Sequence, residues 1–328
     1  MAHQLDFSKG RAGMAYVGER PWHGLGTLLT DDADLDQWRI AAGLDYKVEK
    51  RQLSYPVNRG QDTLMEHVEG RFALVRDDTQ KTLGLCSAQY QILQPLKALQ
   101  FIYDMCQEVG GKLETAGALS DGKRIWALGN MGESMRVKGQ DEVRRYTMFS
   151  SSFDGSSGSI VGDTAIRVVC NNTFQYAVKQ DGHQMVSVPH STAFDADAVR
   201  KQLELRREGW AQFEEDANHL AETPVTEAMM TEFIRRLLGP TALQVKDDQV
   251  KASPTAQNIV LAAGTGPGHE LRSAKGTLWG LYQGVTHYYD HKVRAKSDDT
   301  RLNSAWFGNG NATKNQALTI ALNLAKAA

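Results

Sequence analysis

Ten side chains between Lys123 and Lys179 have the types and spacing to hold a polyanion. Lys123, Arg124, Arg144, Arg145, Arg167 and Lys179 carry positive charge. Asn171 and Gln175 offer neutral hydrogen bonds, and Tyr146 and Phe149 offer flat faces. Phosphate oxygens are gripped by Lys and Arg with neutral donors alongside, and unpaired bases stack on aromatic rings. Single-stranded nucleic acid fits this set. A solvated sheet edge beside an ordinary helix face would use the same residue types, so both readings stay open on the residues alone.

Three further chemistries are weaker. His287 and His291 stand at i, i+4 in His287-Tyr288-Tyr289-Asp290-His291, a spacing that could ligate a metal from one helix face. The glutamate base of an HExxH site is missing, with Tyr288 in its place, so a metal-dependent hydrolase is disfavoured. The loop Gly264-Thr265-Gly266-Pro267-Gly268 lacks the GxxxxGK[ST] spacing of a phosphate-binding loop. Ser150-Ser151-Ser152 and Ser156-Ser157 have no GxSxG elbow around them and read as turn formers beside Asp154-Gly155. The expectation is a binding protein without catalytic residues, metal or cofactor.

The elements that must position these residues follow from their periodicity. From Asp163, a good N-cap, the apolar residues Ile166, Val169, Cys170, Phe174 and Ala177 fall at helical spacing. Arg167, Asn171, Gln175 and Lys179 form the opposite stripe of a helix ending at Asp181-Gly182. A rival reading makes Thr164 to Cys170 a buried strand, because the segment is short and β-branched; the longer helical register favours the helix. Lys112 to Leu119 and Arg124 to Leu128 make a hairpin around Asp121-Gly122, followed by a charged loop Met135 to Arg145 and a strand Tyr146 to Phe153.

Earlier in the chain the pattern predicts a helix at Asp34 to Gly43 and strands at Tyr46 to Lys50, Arg71 to Asp77 and Thr82 to Ser87. A second helix runs from Leu96 to Val109, with Pro95 at its start. After Gly182 the chain turns helical: Ala196 to Ala221, Thr226 to Leu238, Gly276 to His291 and Lys314 to Ala327, with a polar connector before Trp306. The predicted fold class is α+β, an antiparallel β-sheet with hairpins packed against a long helix, followed by a mainly helical C-terminal part. The corresponding division is 1–182, an α+β core with an N-terminal arm, and 183–328, a mainly helical region.

Composition sets the outer limits. With 328 residues, 41% hydrophobic and 23% charged, the chain can build a sizeable core. A net charge of −2 excludes a uniformly basic nucleic-acid wrapper, so any polyanion contact must be local. Cys86, Cys106 and Cys170 form no CxxC pair, which argues against a disulfide framework and for a reducing cytoplasm. No apolar run is long enough for a membrane span, and the start MAHQLDFSKGRAG lacks a signal core. The expected location is therefore the cytoplasm, with no membrane partner.

Several strings resemble the phage/plasmid-like protein family of unknown function, the prophage YafZ/YfjQ-like proteins. They are Pro21-Trp22-His23-Gly24-Leu25-Gly26, Leu83-Gly84 with Tyr90-Gln91-Ile92, Asp154-Gly155-Ser156, Arg167-Val168-Val169-Cys170-Asn171-Asn172-Thr173 and Gly276-Thr277-Leu278-Trp279-Gly280. The resemblance spans nearly the whole chain and implies a gene of mobile elements. By layout alone, hairpins followed by a long helix resemble the Redβ/RecT-class single-strand annealing proteins, an analogy of fold without a shared motif. The family resemblance supplies no chemistry; the layout analogy, with the basic stripe opposite an apolar one, leads to the expectation of a homo-oligomer, ring or filament, that binds single-stranded DNA and promotes strand annealing in recombination, with a host or phage recombination or replication protein as a further partner. The alternative is a protein-binding module that modulates a host defence or replication factor.

Overall fold

Asp-Gly turns and alternating strands build the centre of the molecule. β6 (Lys112–Leu119), β7 (Arg124–Val137), β8 (Asp141–Ser152) and β9 (Ser159–Arg167) form an antiparallel meander. Asp121 and Gly122, at the first turn, both have positive φ, which Asp and Gly tolerate best. Gly122 is also required by space, since a Cβ there would stand 2.8 Å from the Arg76 guanidinium and the Tyr46 hydroxyl. β1 (Met14–Val17) pairs antiparallel with β6, and β2 (Thr27–Leu29) pairs parallel with β1. At the other edge β9 carries β10 (Asn172–Phe174) along its C-terminal half and β11 (Val186–Val188) along its N-terminal half. A second sheet holds β3 (Val48–Arg59), β4 (Asp62–Arg76) and β5 (Thr82–Ser87), and the tip of its β3–β4 hairpin projects as an exposed two-stranded arm. The structure, a computed structural model, describes residues 5–18, 25–60, 62–167, 169, 172–174, 185–204, 208–239, 246–296 and 298–328.

Strand alternation gives the large sheet two apolar faces, and each is covered. On one face Ile125, Ala127, Met131 and Phe149 join the largest core. α1 (Leu35–Ala41) contributes Trp38 to it, and α2 (Pro95–Glu108) contributes Ala98, Leu99, Phe101, Ile102 and Cys106. α2 lies so close to β7 that a Cβ on Gly129 would sit 2.3 Å from the Cys106 sulfur. That burial pushes the Cys106 thiol up to about 12. β11 and α3 (Ala196–Glu204) return to this same core through Val186, Val199 and Leu203. On the opposite face Trp126, Leu128, Tyr146 and Met148 pack with Leu5 and Met14.

The helical C-terminal part comprises α4 (Glu208–Glu222), α5 (Glu227–Leu238), α6 (Asp247–Ala252), α7 (Pro254–Thr265), α8 (Leu278–His287), α9 (Asp298–Phe307) and α10 (Asn309–Lys326). α8 is its axis: every residue from Leu278 to Thr286 is buried. Gly284 allows α7 to approach, since a Cβ there would meet Ala263 at 2.6 Å. The helices share a core with Met135, Val137 and Val143 at the far end of β7 and β8. Asp141, at the start of β8, accepts hydrogen bonds from Trp279 Nε1 (3.0 Å) and Ser273 Oγ (2.8 Å) and so fixes the bundle to the sheet.

The α+β class holds, but the expected long helix does not lie where its pattern placed it. Asp163 and Ile166 belong to β9 rather than to a helix start, and Asn172–Phe174 form β10. The β-branched residues Ile160, Val161, Thr164 and Ile166 extend the strand, and pairing with β8 from Val143 to Ser150 outweighs the helical spacing. The helix packed on the sheet is α2. The charged stretch Met135 to Arg145 is mostly strand, since β7 continues to Val137 and β8 begins at Asp141. The connector before Trp306 is α9, and residues 247–265 hold α6 and α7.

One ion cluster, centred on a buried arginine, ties four segments together. Arg76, fully buried, donates to Asp6 (2.5 Å), to both oxygens of Asp78 (2.9 and 2.8 Å) and to the Asp121 carbonyl (2.9 Å), and stacks on Tyr46 at 3.8 Å. Burial acts to raise both carboxyls, but hydrogen bonds from Arg76 hold each below the ordinary value of 3.8. Their stabilising contribution is therefore complete above the unfolded value and lost as pH falls through the lower folded values. Arg76→Met should lower stability by about 3–5 kcal/mol in urea unfolding at neutral pH, because it leaves the buried Asp6 carboxylate without its cation. It should also flatten the loss of wild-type stability below about pH 4.

Candidate nucleic-acid interface

The sheet distributes the predicted residues between its faces. Successive residues of β8 point opposite ways, so Arg145 and Phe149 go to the α2 face while Arg144 and Tyr146 go to the other. Phe149 is 1% exposed and packs at 6.4 Å from Phe101, inside the core. Tyr146 is 4% exposed, and burial raises its hydroxyl well above the usual phenol range. Neither ring has a face for a base, which corrects the stacking role read from their sequence. Arg145 is equally committed: its Nε and Nη2 donate to Asp163 (3.1 and 2.5 Å) and its Nη1 donates to Glu133 (2.9 Å), while Thr147 bonds the same aspartate at 2.8 Å. This buried network is an internal strut. Arg144 is half exposed, with its Nε on Glu142 at 2.8 Å. Arg167 lies in β9 opposite Val143, and Asn171, Gln175 and Lys179 lie outside the described residues.

Arg124 is placed differently. It starts β7 opposite Ser152 and reaches over the neighbouring strand and its loop. Its Nη1 is 3.3 Å from Ser150 Oγ and 3.3 Å from Ser157 Oγ, and its Nη2 is 2.9 Å from Ser156 Oγ. The guanidinium lies over the Phe307 ring at 5.0 Å. No carboxylate is within ion-pair distance of it among the described residues. Asp154 is near enough to favour the charge, but it is engaged by the Ser156 amide (2.9 Å) and hydroxyl (2.5 Å). Against burial, which raises it, those bonds keep Asp154 ionised below the ordinary carboxylate value.

The loop is fixed by its own serines. Ser152 Oγ donates to the Ser157 carbonyl (2.7 Å) and accepts from its amide (2.9 Å), and Ser151 bonds Ser159 at 3.0 Å. Chemically the corner is a half-buried cation with hydroxyl groups around it, suited to an oxyanion such as a phosphate. Lys123 is its sequence neighbour. Reading the serines only as turn formers missed their place around Arg124, and reading α9 as a connector missed Phe307. The run Ala305-Trp306-Phe307 before a glycine was the available signal; Trp306 packs edge-on against Trp126 at 5.4 Å and fixes this end of α9.

His287 and His291 do come together, with ring centroids 4.8 Å apart. Among the described residues no group of three or more His, Cys, Asp or Glu is arranged to hold a metal. No described helix is long and apolar enough to cross a membrane.

The two neighbouring arginines should separate in stability measurements. Arg145→Ala should cost about 3–5 kcal/mol in urea unfolding, since it leaves Asp163 buried without its cation. Arg144→Ala should change stability by only about 0–1 kcal/mol, as its ion pair is solvent-screened. Phe149→Ala should cost about 3–5 kcal/mol, as expected of a core ring.

No curated protein and no solved structure matches the chain. A family model described as a domain of unknown function, DUF932, matches residues 82–306. The span opens at β5, contains α2, the four-stranded meander and the Arg124–serine corner, and closes at Trp306 in α9. A family of unknown function agrees with the resemblance to phage/plasmid-like proteins in its coarser form; none of these comparisons supports the likeness to Redβ/RecT-class proteins. Because the match covers well over half of its length, the chain belongs to the DUF932 family.

Proposed function

We propose that the protein binds single-stranded nucleic acid by seating a backbone phosphate at the Arg124–serine corner. The observation that carries this reading is Arg124 itself: charged, half-buried, stacked on Phe307, surrounded by hydroxyls and without an ion-pair partner among the described residues. An arginine fork with neutral donors beside it matches the oxygens of a phosphodiester. A single guanidinium set between the serine loop and Phe307 favours a flexible strand, which can turn one phosphate toward it, over a stiff duplex. Strand annealing by an oligomer is the finer form of this proposal.

The β3–β4 arm favours a second reading, self-association of this chain. Tyr55, Leu64 and Met65 are exposed on it, and a two-stranded ribbon in water is only marginally stable by itself. Pro56 in the edge strand β3 opposes simple strand addition, so contact would be made through the faces of the ribbon. Native mass measurement of the full chain and of a Tyr55→Ser/Leu64→Ser/Met65→Ser variant should give an oligomer and a smaller species respectively. A monomer for the wild type contradicts this second reading.

Fluorescence anisotropy with a labelled single-stranded oligonucleotide tests the main one. Binding should appear at low ionic strength and weaken steeply with salt. Arg124→Ala should weaken it by about 10–100-fold, the worth of hydrogen bonds to a charged group. Absence of salt-dependent binding by the wild-type protein contradicts the proposal.

A further inference from the structure

A second cationic surface lies one helix away from Arg124. α8 ends at His287 and continues as a single π-helical turn, Tyr288–Lys292, closed by the Val293 amide on the Tyr288 carbonyl at 2.7 Å. Its conformation is pinned from below. Asp290 points inward to Lys314 Nζ at 2.6 Å, with both side chains nearly fully buried. Burial pulls the Lys314 ammonium below its ordinary value, and Asp290 opposes that pull.

The chain leaves the turn at Val293, with φ −56° and ψ 134°. Lys292, Arg294 and Lys296 are exposed, while Val293 and Ala295 between them are partly covered. The three cations thus occupy alternate positions on the outer side of one segment. None has a carboxylate within ion-pair distance among the described residues. Cations at alternate positions of one exposed segment can contact successive phosphates of a strand. Half-exposed Tyr288 and Tyr289, in edge contact at 5.2 Å, stand at the head of the segment.

α9 joins the two surfaces. It begins immediately after the basic segment and ends at Phe307 over Arg124. Its 10 residues span about 15 Å. Resting on the nucleic-acid reading above, we infer that Lys292, Arg294 and Lys296 form a second phosphate-backbone site, and that one nucleic-acid strand runs along α9 between this site and Arg124. The segment reads charge and not sequence, because exposed Lys and Arg position a backbone without contacting base edges.

The test compares the full-length wild type with K292Q/R294Q/K296Q, using a labelled oligothymidylate long enough to span both sites, over a range of salt concentrations. All three positions are exposed, and an unchanged thermal unfolding curve verifies that the variant is folded. Each phosphate contact on a single strand contributes about 0.7 to the slope of log affinity against log salt. Loss of three contacts should therefore flatten the slope by about 2 and weaken binding at low salt at least tenfold, while leaving the further weakening caused by Arg124→Ala in place. Wild-type binding with an unchanged slope in the triple variant overturns the second site. Absence of wild-type binding overturns the nucleic-acid reading itself, and the second site with it.

Discussion

The structure depends on the need to cover both faces of a long antiparallel sheet. Strand period two sends Phe149 and Ile125 to one face and Tyr146 and Trp126 to the other, and both sets are apolar. α1, α2 and α3 cover the first set, whereas the N-terminal residues and the end of α9 pack on the second. The far end of the sheet is closed by the C-terminal helices, which Asp141 holds through Trp279 and Ser273. With both faces occupied, the sheet cannot serve as a platform for bases. The cations left at its margins, on loops and helix ends, are the ones on which the proposed binding rests.

The same period decides the fate of each basic residue. Arg144 and Arg145 are adjacent in sequence and opposite in role, one in solvent beside Glu142 and the other locked between Asp163 and Glu133. Local composition cannot separate them, because the difference arises from the register of β8 against β7 and β9. Arg124 remains available because its strand begins at a turn, where the neighbouring loop supplies hydroxyls in place of carboxylates.

Much of the framework was legible in local signals. Asp34 caps α1, Pro95 opens α2, and Asp121-Gly122 turns β6 into β7, each by short-range chemistry that tertiary contacts do not override. The stretch after Asp163 failed because apolar residues at helical spacing also include a β-branched run, and pairing with β8 supplied hydrogen bonds that the spacing could not reveal. The arm was read only in part, since β4 extends well beyond Arg71 in residues with little apolar alternation. Phe307 over Arg124, and the ion pair that shapes the turn ahead of α9, link positions far apart in the chain. Contacts of that kind follow from the assembled fold and have no local signature.

The central claim is that nucleic acid is held at the sheet margin, along α9, and not on the sheet face. Hydrogen–deuterium exchange of the full chain, with and without a saturating single-stranded oligonucleotide, measures that location directly. The account predicts new protection in the serine loop at 150–159 and in the segment 288–307, with β8 between Arg144 and Phe149 unchanged. Protection confined to β8, or none in either of the two marginal segments while the oligonucleotide is bound, would contradict it.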